Sequence, residues 1–302
     1  MFLAIDIGNT NTVIGIFNDG NTSYGDDNNS SATMRNATPL YGLFPESPLT
    51  KDSRVKDLIC AFRIATVSTR TIDELAIIFT NLLEFIQVGP YSGKDIISNS
   101  CIDSVAVASS VPQALSDMLV MLRRFFPVQI LVADYTIAGD MNILYQPPED
   151  VGPDRIVDVL AAKDLYGTPA IVIDLGTATT FDVISAKGDY LGGAIIPGLA
   201  ISQDALSLKA AALRNVQLKS PPKVIGRSTT ESIQSGLIFG HVAMIEGMCD
   251  KIEEELSAKA NLVLTGGLAQ VIVEEIKREF AYEPWLTLHG LKLAYNKKYA
   301  RK

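Results

Sequence analysis

Residues Ile171–Gly198 read IVIDLGTATTFDVISAKGDYLGGAIIPG, and the fold turns on how this stretch is understood. Ile171–Ile173 is apolar and β-branched, as in a buried strand. Asp174 follows, then a tight turn carrying Gly176, Thr177, Thr179 and Thr180, and a second strand is expected over Phe181–Ser185. A carboxylate at a strand end does not bind phosphate directly, but it can hold a cation that does. Gly176 lets backbone N–H groups approach an anion closely, and the threonine hydroxyls add donors. Alone, a D-x-G-T turn reads as an ordinary hairpin connection. A near copy at the other end of the chain changes that: Leu3–Phe17 reads LAIDIGNTNTVIGIF, with Asp6, Gly8, Asn9 and Thr10 in the corresponding places. Both copies follow the plan of strand, D-x-G-[NT], hydroxyl-rich turn, strand. A phosphate turn repeated at the start of each half points to two related domains facing one nucleotide.

The 302 residues, 47% of them hydrophobic, can bury a large core and are expected to form two domains, 1–166 and 167–302. A formal charge of −8 and a pI near 4.9 argue against a nucleic-acid surface. No apolar run is long enough to span a bilayer, and Met1–Leu3 leads into a strand rather than a signal peptide. A cytoplasmic protein without a membrane partner is expected. Cys60, Cys101 and Cys249 lack C-x-x-C spacing and read as core thiols. With only His241 and His289 present, histidine catalysis or a zinc site is not expected, and both read as structural.

Between the first hairpin and Leu58, residues 18–56 are rich in Asn, Ser, Thr, Asp and Pro and read as a long loop or flap. Leu58–Thr66 regains strand character. Thr71–Glu74 is a capping box that opens a helix with Leu75, Ile78, Phe79, Leu82 and Ile86 as its buried stripe. A strand over Ser104–Ala108 leads to Pro112, which opens a helix to about Phe126, and a short strand follows near Gln129–Ala133. In Tyr145–Leu165 (YQPPEDVGPDRIVDVLAAKDL), Pro153 fits a first helical turn continued by Ile156, Val157, Leu160 and Ala161. Asp154 and Arg155 then stand in that first turn, where N–H groups attract anions. Gly192–Gly193 and Ile196–Gly198 read as turns close to a ligand or another backbone, and Gln203–Leu213 as helical. A long helix over about Thr230–Leu256 contains Gly236 and Gly240, for which close helix packing is the expected reason. Asn261–Leu264 is a strand running into Thr265–Leu268, a side-chain-poor turn suited to the flat face of an adenine or its sugar. A last strand near Leu286 and a basic helix close the chain.

Taken together, DIGNTNTVIG at Asp6, G-x-D-R at Gly152, DLGTATTFDV at Asp174, GGAIIPG at Gly192, GRST at Gly226 and TGGLA at Thr265 resemble the type III pantothenate kinases. That family belongs to the actin-like, sugar-kinase-like ATPase superfamily. The resemblance runs from Met1 to about Tyr295 and is broken mainly by residues 18–56, a long insertion that most members shorten. It implies an α/β fold of two duplicated actin-like (ribonuclease-H-like) domains, each a mixed sheet flanked by helices, with the nucleotide in the cleft between them. It implies ATP-dependent phosphorylation of pantothenate to 4′-phosphopantothenate, the first step towards coenzyme A.

By position, the resemblance assigns Asp6, Ile7, Gly8, Asn9, Thr10, Asn11, Thr12, Val13 and Thr177 to ATP. Asp174 takes the place that binds a monovalent cation, potassium or ammonium, and Mg2+ accompanies ATP. Asp154 matches the proton acceptor. Tyr145, Gly152, Pro153, Asp154, Arg155 and Thr229 match pantothenate contacts, with Arg155 pairing with the substrate carboxylate. Pro153 stands where members usually carry Ala and removes one backbone donor beside the substrate. Homodimers with shared active sites are implied as well. Neither G-x-x-x-x-G-K-[ST] nor a protein-kinase signature is present. The alternatives are a kinase of the same superfamily with another small hydroxylated substrate, or a non-catalytic transcription accessory protein on this fold, against which intact Asp6, Asp154 and Asp174 argue.

Overall fold

The computed structural model describes residues 1–18, 40–41, 53–88, 102–209 and 215–299, with the backbone alone at 40–41, 85–88 and 209. Two mixed sheets carry the fold. In the first, β1 (Phe2–Ile7) lies between β2 (Asn11–Phe17) and the later strand β5 (Ser104–Ser109). Beyond β2 come β4 (Leu58–Ala65) and the edge strand β3 (Leu40–Tyr41), and beyond β5 comes β6 (Gln129–Val132). In the second, β7 (Ala170–Leu175) lies between β8 (Ala178–Ile184) and β10 (Asn261–Thr265), with β9 (Tyr190–Pro197) and β11 (Ala281–Tyr282) at the edges. The β1–β2 and β7–β8 pairs are antiparallel, whereas β1–β5 and β7–β10 are parallel. Leaving β3 aside, the two sheets have the same order and directions. The buried positions coincide residue for residue along β1 and β7, and again along β2 and β8. The duplication expected from the two D-x-G-[NT] turns is therefore a duplication of whole sheets.

The described helices are α1 (Ile72–Val88), α2 (Pro112–Phe125), α3 (Pro153–Tyr166), α4 (Leu199–Lys209), α5 (Thr229–Leu256), α6 (Ala269–Ile272) and α7 (Leu286–Tyr299). Alternation along each strand sends side chains to opposite faces. Leu3, Ile5 and Ile7 pack with α1 and α2, while Ile171, Ile173 and Leu175 pack with α4, α5 and α6. The remaining faces, Phe2 and Ala4 of β1 and Ala170 and Val172 of β7, turn to a shared layer formed by α3 and α7. By the same alternation Asp6 and Asp174 fall on that inner side. The two inner helices cross at Gly290, where a Cβ would overlap the carbonyl oxygen of Val157.

Several local expectations change. Gly192–Gly193 and Ile196–Pro197 lie in strand β9, not in turns. Gly193 is there because a Cβ would overlap the Phe181 carbonyl of β8, and a Cβ on Gly198 would crowd the carbonyls of Gly176 and Thr177. The close approach to another backbone was legible, but the turn was not. The helix expected from Gln203 begins at Leu199. No strand forms at Leu286, which opens α7; Leu288, Leu291 and Tyr295 recur at helical spacing against the inner layer, and the last strand is Ala281–Tyr282. Among the described residues, a Cβ on Gly236 or Gly240 would meet nothing within 4 Å, so the expected close packing is not seen there.

The segment 18–56 is not loop throughout. Leu40–Tyr41 pairs with Cys60–Ala61, and Ser53 and Val55 are buried. The fully buried Glu283 carboxylate accepts hydrogen bonds from Ser53 Oγ (2.6 Å), the Arg54 N–H (2.8 Å) and Tyr166 OH (3.2 Å). The rest of that segment, 19–39 and 42–52, lies outside the described residues, as does Cys101. Cys60 and Cys249 are buried free thiols, as expected. Both histidines have structural partners: His241 Nε2 is 2.9 Å from Thr179 Oγ1 and His289 Nε2 is 3.3 Å from Asp164 Oδ2.

Candidate active site

The two repeated turns meet. Gly8 N–H closes the first turn on the Asn11 carbonyl, and Gly176 N–H closes the second, one residue tighter, on that of Ala178 (3.0 Å each). Thr10 Oγ1 and Thr177 Oγ1, one from each turn and both exposed, are 3.1 Å apart, so a hydrogen bond joins the halves where the phosphate site is expected. Not every residue of Asp6–Val13 can offer its side chain there. Ile7 is buried in the core, and Thr12 is buried with its hydroxyl 2.9 Å from that of Thr66. These two can serve a phosphate only through their backbone.

Asp154 enters from α3. Gly152 precedes the helix and Pro153 occupies its first position, where no intrahelical N–H is needed. Without a Cβ at Gly152 there is room for the Asp154 carboxyl, whose Oδ1 accepts a hydrogen bond from the Arg155 N–H at 2.9 Å. Asp154 lies electrostatically close to both turn aspartates. Burial first, then Asp154 and Asp174, push the Asp6 carboxyl up to about 8, against the pull of Arg63. Burial, Asp154 and Asp182 push Asp174 up to about 7, again opposed by Arg63.

One helical turn beyond Asp154, Asp158 is a fourth carboxylate that sequence reasoning missed. It is 3% exposed, Thr287 at the start of α7 hydrogen-bonds to it, and its buried Oδ1 has no hydrogen-bond partner among the described residues. Burial, with Asp174, Asp154 and Asp6 nearby, raises its pKa well above the carboxylate range. A lone acid four residues after Asp154, on the buried face of an apolar helix, was the available signal.

Arg155 belongs to a second cluster. Its Nε donates to Asp182 Oδ1 at 2.8 Å; Tyr190 OH donates to the same oxygen at 2.7 Å, and Thr180 Oγ1 to Oδ2 at 3.1 Å. Burial alone would lower the guanidinium pKa, but Asp182, Tyr190 and Tyr145 outweigh it and hold it above the ordinary value. Burial raises Asp182 itself to about 6, with Arg155 and its hydrogen bonds pulling the other way. Arg155 Nη2 is buried without a hydrogen-bond partner, 3.3 Å from where a Gly193 Cβ would stand. The Tyr145 ring lies over Gly192, 3.3 Å from its Cβ direction. Tyr145, Arg155 and the β9 glycines thus lie together, with a cationic edge that has no acceptor among the described residues.

Thr229 is elsewhere. It opens α5 in an open groove of about 810 Å³ lined by Leu206, Gly226, Arg227, Ser228, Ser232 and Gly236 among others; Tyr145, Asp154 and Arg155 are not in its walls.

The surroundings of Asp174 suit a hard cation. A Cβ on Gly176 would only touch its Oδ2, at 3.5 Å, whereas one on Gly266, which has φ +94°, would overlap Oδ1. The turn offers carboxylate, carbonyl and hydroxyl oxygens, from Asp174, Ala178 and Thr177, of the kind that potassium and magnesium take, although Arg63 is a cation already close to Asp174. Among the described residues no group of three or more His, Cys, Asp or Glu side chains is arranged to hold a metal. Asp174 is the side chain that would hold a cation here, and the ion would supply positive charge to a neighbouring phosphate. The TGGL turn has a packing role of its own, since Gly266 lies against Asp174 and Leu175, and Gly267 against Arg63.

Comparison with known proteins gives a consistent result. A family model described as type III pantothenate kinase matches residues 47–251. The type III pantothenate kinase of Acidothermus cellulolyticus is 38% identical over 298 residues, covering 98% of each chain. That of Streptomyces coelicolor is 35% identical over 305 residues, covering 100% of each. Among solved structures, a Campylobacter jejuni protein assigned to the Baf family of transcriptional activators superposes with a TM-score of 0.54 at 17% identity, covering 99% of this chain and 100% of that one. That likeness concerns the fold alone.

Proposed function

The chain belongs to the type III pantothenate kinase family and phosphorylates pantothenate with ATP in the first step of coenzyme A biosynthesis, and we propose that the reaction takes place between the two threonine-bridged turns. The observation that carries this siting is the Thr10–Thr177 bond, with Asp154 set beside the aspartates of both turns. Phosphoryl transfer depends mainly on positioning and charge neutralisation. The ATP phosphates lie against Asp6–Val13 and Thr177. Asp154 orients the primary hydroxyl of pantothenate and accepts its proton. Arg155, whose Nη2 has no acceptor among the described residues, pairs with the substrate carboxylate, with Tyr145 and residues 152–153 beside it. Magnesium brought with ATP and a potassium or ammonium ion at Asp174 supply positive charge to the phosphates.

The halves 1–166 and 167–302 act as the two walls of the cleft, in a cytoplasmic homodimer that binds no nucleic acid. Support for the dimer comes from α5: Gly236, Gly240 and Gly247 face open space, and Leu206, Leu208, Val224 and Ile225 are exposed nearby. Thr229 begins the same helix, so a second chain seated there could bring Thr229 to its neighbour's substrate. No described helix is long and apolar enough to cross a membrane. A coupled assay of ATP turnover tests the reading. Turnover is expected to require pantothenate and to fall sharply when sodium replaces potassium. Turnover indifferent to pantothenate contradicts the substrate, and equal rates in both salts contradict the cation.

A further inference from the structure

Neither phosphate turn carries a basic residue: Asp6–Val13 and Asp174–Thr180 contain no Lys or Arg. The guanidinium of Arg155 is committed through Nε to Asp182. Polyphosphate at the turns nevertheless lies near Asp6, Asp154 and Asp174, and a cationic side chain within reach would offset the repulsion from whichever of them is ionised. Arg63 has that position. It lies on β4, opposite Val13 of the first turn's outgoing strand, and is half-buried. Its guanidinium crosses into the second half of the molecule, where a Cβ on Gly267 would overlap Nη1 and lie 3.3 Å from Nη2. There it is electrostatically close to Asp6, Asp174 and Tyr282. Arg63 is therefore a first-half side chain seated against a second-half turn, electrostatically close to the aspartates that head both phosphate turns. The planar fork of a guanidinium matches carboxylate and phosphate alike, so it can exchange one for the other without leaving its place.

We propose that Arg63 is a nucleotide-site residue, whose guanidinium at the Gly267 turn meets the phosphate oxygens of ATP. This rests on the ATP site lying at the two turns. Gly267 has a matching purpose, since the absence of a side chain there leaves room for the guanidinium.

Calorimetric titration with ADP and, separately, with adenosine tests the proposal in the full-length protein. Arg63→Gln is expected to weaken ADP binding roughly ten- to a hundred-fold, the range for a hydrogen bond to a charged group. Adenosine affinity should stay within about two-fold, and Arg63→Lys should recover part of the loss. Gly267→Ala crowds the flexible end of Arg63 rather than backbone. It should also weaken ADP binding, and the Arg63→Gln/Gly267→Ala double variant should bind no worse than Arg63→Gln. ADP affinity within about two-fold of the parent in folded Arg63→Gln overturns the proposal, as does an equal loss for adenosine. Should Arg63→Gln fail to fold, unchanged ADP affinity in Gly267→Ala overturns it, and a selective loss of ADP over adenosine supports it. Thr10→Ala separates this from the siting of ATP. ADP binding weakened by Thr10→Ala but not by Arg63→Gln leaves the site and removes Arg63 from it, whereas indifference to both removes the site and the proposal together.

Discussion

At Asp6, burial and neighbouring acids set an energetic penalty on the ionised carboxylate. The carboxyl pKa is about 8 in the folded protein against 3.8 for a free aspartate. A carboxyl whose pKa is raised on folding stabilises fully below its unfolded value and loses that contribution as pH climbs through the folded value. The nucleotide-free protein is therefore expected to lose stability between about pH 4 and pH 8. Asp6→Asn should flatten that slope and raise Tm at about pH 9, by the equivalent of about 1 kcal/mol, because part of Asp6 stays open to cleft solvent. A parent Tm that is level from about pH 5 to pH 9 in thermal melts contradicts this. Asp6, Asp154 and Asp174 were legible in the sequence because each stands in a short local pattern, a D-x-G turn or the start of a Pro-led helix. Asp158 and Arg63 were not. An aspartate inside an apolar helix and an arginine in an alternating strand take their meaning only from what lies across the cleft.

The repeated strand–turn–strand was the most legible element, because its signal is local and appears twice. The α1 capping box was equally plain: Thr71 N–H donates to Glu74 Oε2 at 2.7 Å, and Glu74 N–H to Thr71 Oγ1 at 3.2 Å. Misread elements were those whose glycines or leucines answer to a distant neighbour. Gly193 looked like a turn but makes room for a carbonyl on the next strand, and Leu286 looked like strand because its helical partners face α3. Gly290 shows how tightly those inner helices are held. Gly290→Ala would press a methyl group into the Val157 carbonyl, a backbone atom that cannot swing aside. A cost of about 1–3 kcal/mol is expected from such overpacking. Because Val157 lies between Asp154 and Asp158 on α3, kcat should fall as well. Denaturant unfolding and steady-state kinetics read both effects, and an unchanged midpoint with normal turnover contradicts the close crossing.

For the whole molecule, the two turns meet at the Thr10–Thr177 contact, and the proposed second chain would sit on the glycine-bearing face of α5. If Thr229 reaches the neighbour's substrate, inactive Asp154→Asn and inactive Thr229→Arg proteins should regain activity when mixed, through hybrid dimers with one intact site. Failure to regain it, with subunit exchange demonstrated, would put both residues in the same half-site. The central claim is that Asp154 takes the proton of the attacking hydroxyl at the meeting of the two turns, and kcat of Asp154→Asn in pantothenate-dependent turnover tests it most directly. Asparagine keeps the size of the side chain and an oxygen for the Arg155 N–H, but it cannot take the proton. The expected result is a fall in kcat of about 10²–10⁴-fold, roughly 3–5 kcal/mol of barrier, with ADP affinity and Tm close to those of the parent. A kcat within a few-fold of the parent would contradict the assignment.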